Sequence, residues 1–275
     1  MKKLYSLFAA MVCAASLTAQ NISIKIDGQD VPNGSTHTKY YAEDRIWNAD
    51  LEDYLVGIYP EVIFKSAVNG NVTVTLTSLD KNEDVGGDAS KSNSAIIHTG
   101  YDATPGTLES QLVVAANPMY DLLCKELDVP FKRIGAILPA ITDEQFAQLP
   151  AIKEKAFRNH VYDVEYKSGA ELLEMEPNLN PAVKGGLYIP RESIIDPFIL
   201  VQAYAENAAA NGVEFLLSTQ VTGITYEDGH ITGVDTTAGH IEAKFVINCA
   251  GLYCDEIAEM VGKADYKVVA RKGQF

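Results

Sequence analysis

"PFILVQAYAENAAANGVEFLLSTQVTGITYEDGHITGVDTTAGHIEAKFVINCAG", residues 197–251, reads as a helix, a meander and an apolar strand in that order. Pro197 opens the helical stretch and Gly212 closes it. Helices favour this asymmetry because proline presets φ where no amide is needed, and glycine accepts the left-handed backbone past the end. Short β-rich runs follow, separated by "EDG" at 227–229 and "AG" at 238–239, both turn-forming. The last run, "KFVINCAG" (244–251), suits a parallel-sheet strand covered on both faces. A helix passing through an antiparallel meander into a core strand predicts an α/β fold.

The same texture extends outward. Downstream, "DEIAEMVG" (255–262) is a helix with acids in its first turn, and "KVVARKGQF" (267–275) reads as a strand. Upstream, "TLESQLVVAANPMYDLLCKELDV" (107–129) has helical apolar spacing interrupted near Pro118. "FKRIGAILPA" (131–140) reads as a strand. "TDEQFAQLPAIKEKAFRN" (142–159) opens on a capping signature, Thr142 with Gln145 three residues on. "SGAELLEMEPNL" (168–179) is a short helix stopped by Pro177, and "KGGLYIPRESIIDP" (184–197) a strand and turn.

Before residue 79 the character differs. "MKKLYSLFAAMVCAASLTAQ" has Lys2 and Lys3, an apolar run and then small residues, the layout of a secretory leader cleaved after Ala19. The expected location is therefore outside the cytoplasm, periplasmic or extracellular. Residues 20–78 read as a β-rich segment, from the alternating "NISIKID" to the β-branched "NVTVTLTSL". His37 within it reads as a surface residue.

The net charge of −15, from 22 basic and 37 acidic residues, argues against nucleic acid as a partner, because no basic patch is there to neutralise phosphates. Cys124, Cys249 and Cys254 lie beyond the leader that carries Cys13. Their number and spacing support neither a disulfide framework nor a metal site, and they read as small buried hydrophobes.

The chemistry concentrates in "DASKSNSAIIHTGYD", residues 88–102. Ser90, Ser92, Asn93 and Ser94 offer hydroxyls and an amide with little bulk, Gly100 permits close approach, and His98 titrates near neutrality. By itself this reads more readily as a hydrogen-bonded loop with a structural histidine.

"KNEDVGGDASKSNSAIIHTGYDATPGTLES" (81–110) resembles the flavin-contacting segment of the FAD-dependent glycerol-3-phosphate dehydrogenases and L-2-hydroxyglutarate oxidases, within the D-amino-acid-oxidase-like superfamily. "LCKELDVPFKRIGAIL" (123–138), residues 169–224 and "FVINCAGLYCDEIAEMVG" (245–262) are similar to its next segments in order. The resemblance covers about residues 80–275.

It implies a doubly wound FAD-binding domain with an inserted β-meander. It also implies part of an α+β substrate domain, drawn from about 131–195 and 266–275. By matching motif, Ser90, Lys91, Asn93 and Ser94 become cofactor-loop residues and His98 a catalytic residue at the flavin face. Val221 matches the position whose backbone meets the adenine. Ala250 and Gly251 match the strand-end turn that lets backbone approach the cofactor. Asp80 matches the acid that binds the adenosine ribose, with a plain turn acid as the other reading. Arg271 and Lys272 fall on the substrate side, where they would hold a phosphate or carboxylate or else be solvated. The implied reaction is oxidation of a small hydroxylated anion, glycerol 3-phosphate before L-2-hydroxyglutarate, with quinone or oxygen as electron acceptor.

One part of the family pattern is missing. Residues 1–90 hold no G-x-G-x-x-G, the loop that sets pyrophosphate on backbone amides at a helix N-terminus. The expectation is the middle of a flavoenzyme cut at both ends, a fusion or gene fragment joined near "SLDKNEDV" (78–85). The alternative function is a secreted, non-catalytic β-domain carrying an inert flavoenzyme fragment.

Overall fold

The computed structural model describes residues 74–270 throughout. Ahead of them it describes the backbone of the strands Met11–Leu17, Ile22–Ile26, Gln29–Val31, Ile46–Asn48, Asp53–Leu55 and Val62–Ser66. His37, Arg271 and Lys272 lie outside the described residues. The chain divides into two compact units. One comprises 1–38, 59–94 and 197–275, the other 39–58 and 95–196. The polar loop at 88–102 thus passes from the first unit to the second between Ser94 and Ala95.

In the first unit a four-stranded sheet runs in the order Glu214–Leu216, Val74–Leu79, Met11–Leu17, Phe245–Cys249. Glu214–Leu216 is parallel to Val74–Leu79, with Leu216 opposite Leu79. Met11–Leu17, inside the segment read as a leader, is antiparallel to both neighbours, with Met11 opposite Cys249 and Val12 opposite Leu79. The three other strands therefore share one direction, and Leu79 and Cys249 end at the same edge. Ligands of open α/β sheets bind at this carboxyl edge.

The helix Pro197–Ala210 and the meander Val221–Glu227, His230–Thr236, Gly239–Glu242 form as their sequences require. Leu79, Val221, Val234, Ala243, Ala250 and Ile257 make one buried cluster, joining strand end, meander and the last helix. Each Val, Leu or Ile side chain among them contributes roughly 1.5–3 kcal/mol when fully buried. Val85 and Val201 make a second cluster with Phe215, Leu217 and Cys249 around them.

Two expectations are corrected in this unit. Phe245–Cys249 is not covered on both faces: Asn248 is exposed and Ile247 is 40% exposed. Residues 267–270 form no strand. The Val268 amide, which a ladder would need, donates instead to the Asp255 carboxylate at 3.0 Å.

In the second unit Ala136–Ala140, Gly185–Ile189 and Glu165–Ser168 form an antiparallel sheet. The helix Asp143–Arg158 packs beside it. Leu149 and Ala156 on that helix join Ala140, Val161, Val164, Leu187 and Ile189 in the core. The capping box at its start is complete: the Thr142 hydroxyl accepts the Gln145 amide, and the Gln145 side chain accepts the Thr142 amide. A second antiparallel sheet places Ser193–Ile195 between Ile96–Ile97 and Phe131–Arg133. The single strand expected over 131–140 is two strands, parted where Gly135 turns to φ +72° and a Cβ would strike the Tyr188 ring at 2.4 Å. The helical run from 108 breaks at Pro118 into Leu108–Ala116, a 3-10 turn and Tyr120–Leu127.

Candidate functional site

At the carboxyl edge of the first unit, Asp80 follows directly on Leu79 and is 6% exposed. Its backbone is locked by Asp80 N–H to Leu216 C=O (3.1 Å) and Thr219 N–H to Asp80 C=O (2.8 Å). Its carboxylate accepts the Asn82 amide at 2.9 Å. Burial raises the Asp80 pKa; the Asn82 amide opposes this and Asp88 adds to it. Lys81 extends the other way, its ammonium 3.2 Å from the Tyr253 ring centroid and 3.6 Å from Asp88.

Val221 and Ala250 share the cluster that buries Leu79, so the structure brings the edges of Asp80, Val221 and Ala250 together. Gly251 turns left-handed (φ +54°) as the chain leaves the strand Phe245–Cys249. In the loop, Lys91 pairs with Asp84 at 2.6 Å. The Asn93 amide donates to the Ala89 and Ser90 carbonyls at 3.2 and 3.0 Å, closing the turn on itself. Ser90 and Ser94 are half-buried. The loop's base is tight: a Cβ on Gly86 (φ +68°) would lie 2.7 Å from Val201 Cγ1.

In the second unit, His98 carries the clearest chemistry. Its side chain is half exposed, and Nδ1 lies 3.3 Å from Oε2 of Glu192, whose side chain is only 4% exposed. Oε1 of Glu192 accepts the Thr99 amide at 2.7 Å and the Thr99 hydroxyl at 2.9 Å. Burial pushes the Glu192 carboxyl up, but His98 and both Thr99 donors outweigh it and hold the pKa below the ordinary value. Glu192 raises the His98 pKa by hydrogen bonding, against burial.

A dense frame fixes the pair. Asn117, fully buried, donates to the Ile97, His98 and Arg191 carbonyls at 3.4, 3.0 and 3.1 Å. Its Oδ1 accepts Arg133 Nη1 at 2.7 Å. Arg133 also binds the Asp121 carboxylate, the Arg191 and Asn117 carbonyls and the Ser193 hydroxyl. Arg191 grips Asp163 bidentately at 2.7 and 2.9 Å. Beyond Thr99, Gly100 adopts φ +83° and its carbonyl accepts the Asn159 side chain at 2.9 Å.

Sequence reading singled out His98 but not Glu192, Thr99, Asn117 or Arg133. These residues lie far apart in the chain, 93 positions separating Thr99 from Glu192. The pairing of Ser193 with both Ile97 and Arg133 brings them together. Cys124 is buried, and burial raises its thiol pKa to about 11, which leaves it unreactive. No group of metal-ligating side chains occurs among the described residues, nor any helix long and apolar enough to cross a membrane.

Residues 69–275 match the family FAD dependent oxidoreductase. The chain belongs to that family. The match includes the strand Val74–Leu79 that ends at Asp80. A protein of Caloramator mitchellensis named glycerol 3-phosphate dehydrogenase is 42% identical over 208 residues, covering 74% of this chain and 42% of that protein. A Mycoplasma pneumoniae glycerol 3-phosphate oxidase is 28% identical, covering 73% and 54%. An Indibacter alkaliphilus L-2-hydroxyglutarate dehydrogenase is 27% identical, covering 75% and 51%. The chain thus spans about half the length of these relatives. Among solved structures, the FAD-bound L-α-glycerophosphate oxidase of M. pneumoniae superposes with TM-score 0.59 at 27% identity, covering 67% of this chain and 50% of that one.

FAD is the cofactor these relationships indicate. Asp80, a buried carboxylate next to Leu79, which packs with Ala250, is the group that would hold its adenosine half. They do not supply the pyrophosphate cradle. The strand between Val74–Leu79 and Phe245–Cys249 runs opposite to both and contains no glycine.

Proposed function

We propose that this chain is an FAD-dependent oxidoreductase acting on a small hydroxylated anion, glycerol 3-phosphate in preference to L-2-hydroxyglutarate. When bound, FAD supplies the acceptor for the hydride of the carbinol carbon. The protein's part is to hold the cofactor, bind the anion and take the hydroxyl proton.

The His98–Glu192 pair carries the reading: a half-exposed imidazole tied to a buried carboxylate. That arrangement suits general-base work near neutrality, since the ring can hold a proton and keeps one nitrogen for the substrate. The preference for glycerol 3-phosphate rests on the 42% identity to the Caloramator protein, against 27% to the L-2-hydroxyglutarate dehydrogenase. Asp80 would bind the ribose hydroxyls, Ser90, Asn93 and Ser94 would line the cofactor, and Arg271 would hold the anion. Oxygen or a quinone would reoxidise the flavin, and export would follow only where the leader-like N-terminus is not held in the sheet of the first unit.

A second reading is an inert flavoenzyme fragment attached to a β-rich secreted segment. The glycine-free, reversed strand in the sheet favours it, because it leaves pyrophosphate without its amides. One experiment separates the two. The full chain is purified from a flavin-supplied host, its absorbance is recorded, and any released flavin is identified. Anaerobic bleaching is then followed with each hydroxy acid. Bound FAD bleached faster by glycerol 3-phosphate supports the first reading. Absence of bound flavin overturns it in favour of the second.

A further inference from the structure

We propose that Glu192 is the positioning residue for His98. Its Oε2 accepts the Nδ1–H hydrogen bond, so that the neutral ring is held as the Nδ1–H tautomer and Nε2 is the nitrogen offered to substrate. The inference rests on the preceding reading for its catalytic consequence, but its structural content stands on the second unit alone.

The geometry assigns the two carboxylate oxygens different tasks. Oε1 is saturated by the Thr99 amide and hydroxyl, so the carboxylate cannot rotate freely. Oε2 is thereby turned to Nδ1 of His98 at 3.3 Å. The backbone of Glu192 is fixed as well, its carbonyl accepting the Gly135 amide at 2.9 Å. Asn117 then bridges the two strands that carry the pair, binding the His98 carbonyl on one side and the Arg191 carbonyl on the other. A buried carboxylate with two donors on one oxygen and an imidazole on the other is satisfied only while Nδ1 carries the hydrogen.

Among the described residues, Glu192, Asp102 and Glu109 are the acidic groups that raise the His98 pKa. The nearby cations are engaged elsewhere: Arg191 with Asp163, Arg133 with Asp121, and Lys155 with the Asp102 carbonyl. In the reaction, the substrate O–H bond breaks and its proton goes to Nε2. The resulting imidazolium is stabilised through Nδ1–H by Glu192.

The test is nitrogen NMR of the full chain labelled at histidine, with Glu192→Gln and His98→Gln as variants. The last assigns the signal. The expected wild-type result is an Nδ1–H neutral ring that titrates above 6.5, the ordinary histidine value. In Glu192→Gln the midpoint should fall and the tautomer should become mixed. A wild-type ring that is mainly Nε2–H overturns the proposal without any variant, and so does an unchanged midpoint in Glu192→Gln. The pH profile of flavin bleaching by substrate is recorded beside it. If the ring midpoint moves and the bleaching profile moves with it, Glu192 acts on the reaction through His98. If the ring moves and the profile does not, His98 is removed from the chemistry. The catalytic part of the proposal then falls, independently of whether FAD binds.

Discussion

Thr99 places two donors, its amide at 2.7 Å and its hydroxyl at 2.9 Å, on the same oxygen of Glu192. Both residues are essentially sealed from solvent, and the other oxygen faces a half-exposed histidine. A charge buried in this way is costly unless it stays paired and hydrogen-bonded.

The pair should therefore show in stability against pH. His98 has a raised pKa, so its contribution is complete below its ordinary 6.5 and is lost as pH rises through the higher folded value. Glu192 has a lowered pKa, so its contribution is complete above its ordinary 4.5 and is lost as pH falls through the lower folded value. The melting temperature of the wild type should exceed that of Glu192→Gln most between pH 4.5 and 6.5, with the gap narrowing on both sides. A gap independent of pH would mean that the pair adds no linked protons.

Asn117→Ala should be among the more damaging single substitutions in the second unit. It deletes three donations to carbonyls and the acceptor for Arg133, all at a fully buried position. Leaving such groups unpaired costs about 1–3 kcal/mol for each that finds no water. Urea denaturation should show a loss of at least that order, and a change near zero would show that the frame is redundant.

Two glycines separate backbone strain from steric clash. Gly100 and Gly212 both have left-handed φ, +83° and +92°. A Cβ on Gly100 would come 2.8 Å from Val114 Cγ2, whereas a Cβ on Gly212 would meet nothing within 4 Å. Gly212→Ala should cost about 1 kcal/mol of backbone strain, and Gly100→Ala distinctly more. Equal losses by denaturation would show that Val114 yields.

Much of this fold was legible because its signals are local. The Thr142–Gln145 box, the break at Pro118 and the Pro197–Gly212 bounds each depend on a few adjacent residues. The meander followed from its turns. The failures were non-local. The valines of 267–270 suggest a strand, but a strand needs a ladder partner, and the Val268 amide has Asp255 instead. Gly135 splits a run that looks continuous in composition. At the site, His98 is the one group of its loop that switches charge near neutral pH. Glu192, hidden in "PRES", carries no local mark of being buried and ionised. An acidic residue flanked by Arg191 and Ser193 ordinarily sits in water, and only strand pairing shows otherwise.

Asp80→Asn tests the cofactor edge. The substitution preserves shape and the Asn82 contact region but removes the charge that favours binding to ribose hydroxyls. Flavin affinity of the full chain, followed by fluorescence quenching on titration, should fall roughly ten-fold or more, the scale of one charge-assisted hydrogen bond. Unchanged affinity would return Asp80 to the role of a turn acid.

The N-terminal strand sets the last test. Cleavage after Ala19 would remove Met11–Leu17, and with it the partner of both Val74–Leu79 and Phe245–Cys249. Those two strands pair with nothing else in that direction among the described residues, so their facing amides and carbonyls would pass to water. Processing and this sheet therefore exclude one another. Protein expressed from this sequence and recovered in folded form should retain Met11–Leu17 by intact mass. A variant lacking residues 1–19 should melt several degrees lower, since an edge opened in a sheet of this size costs at least ~1 kcal/mol. If the shortened chain melts at the same temperature, the strand contributes nothing to the sheet, and the N-terminus is free to serve as a leader.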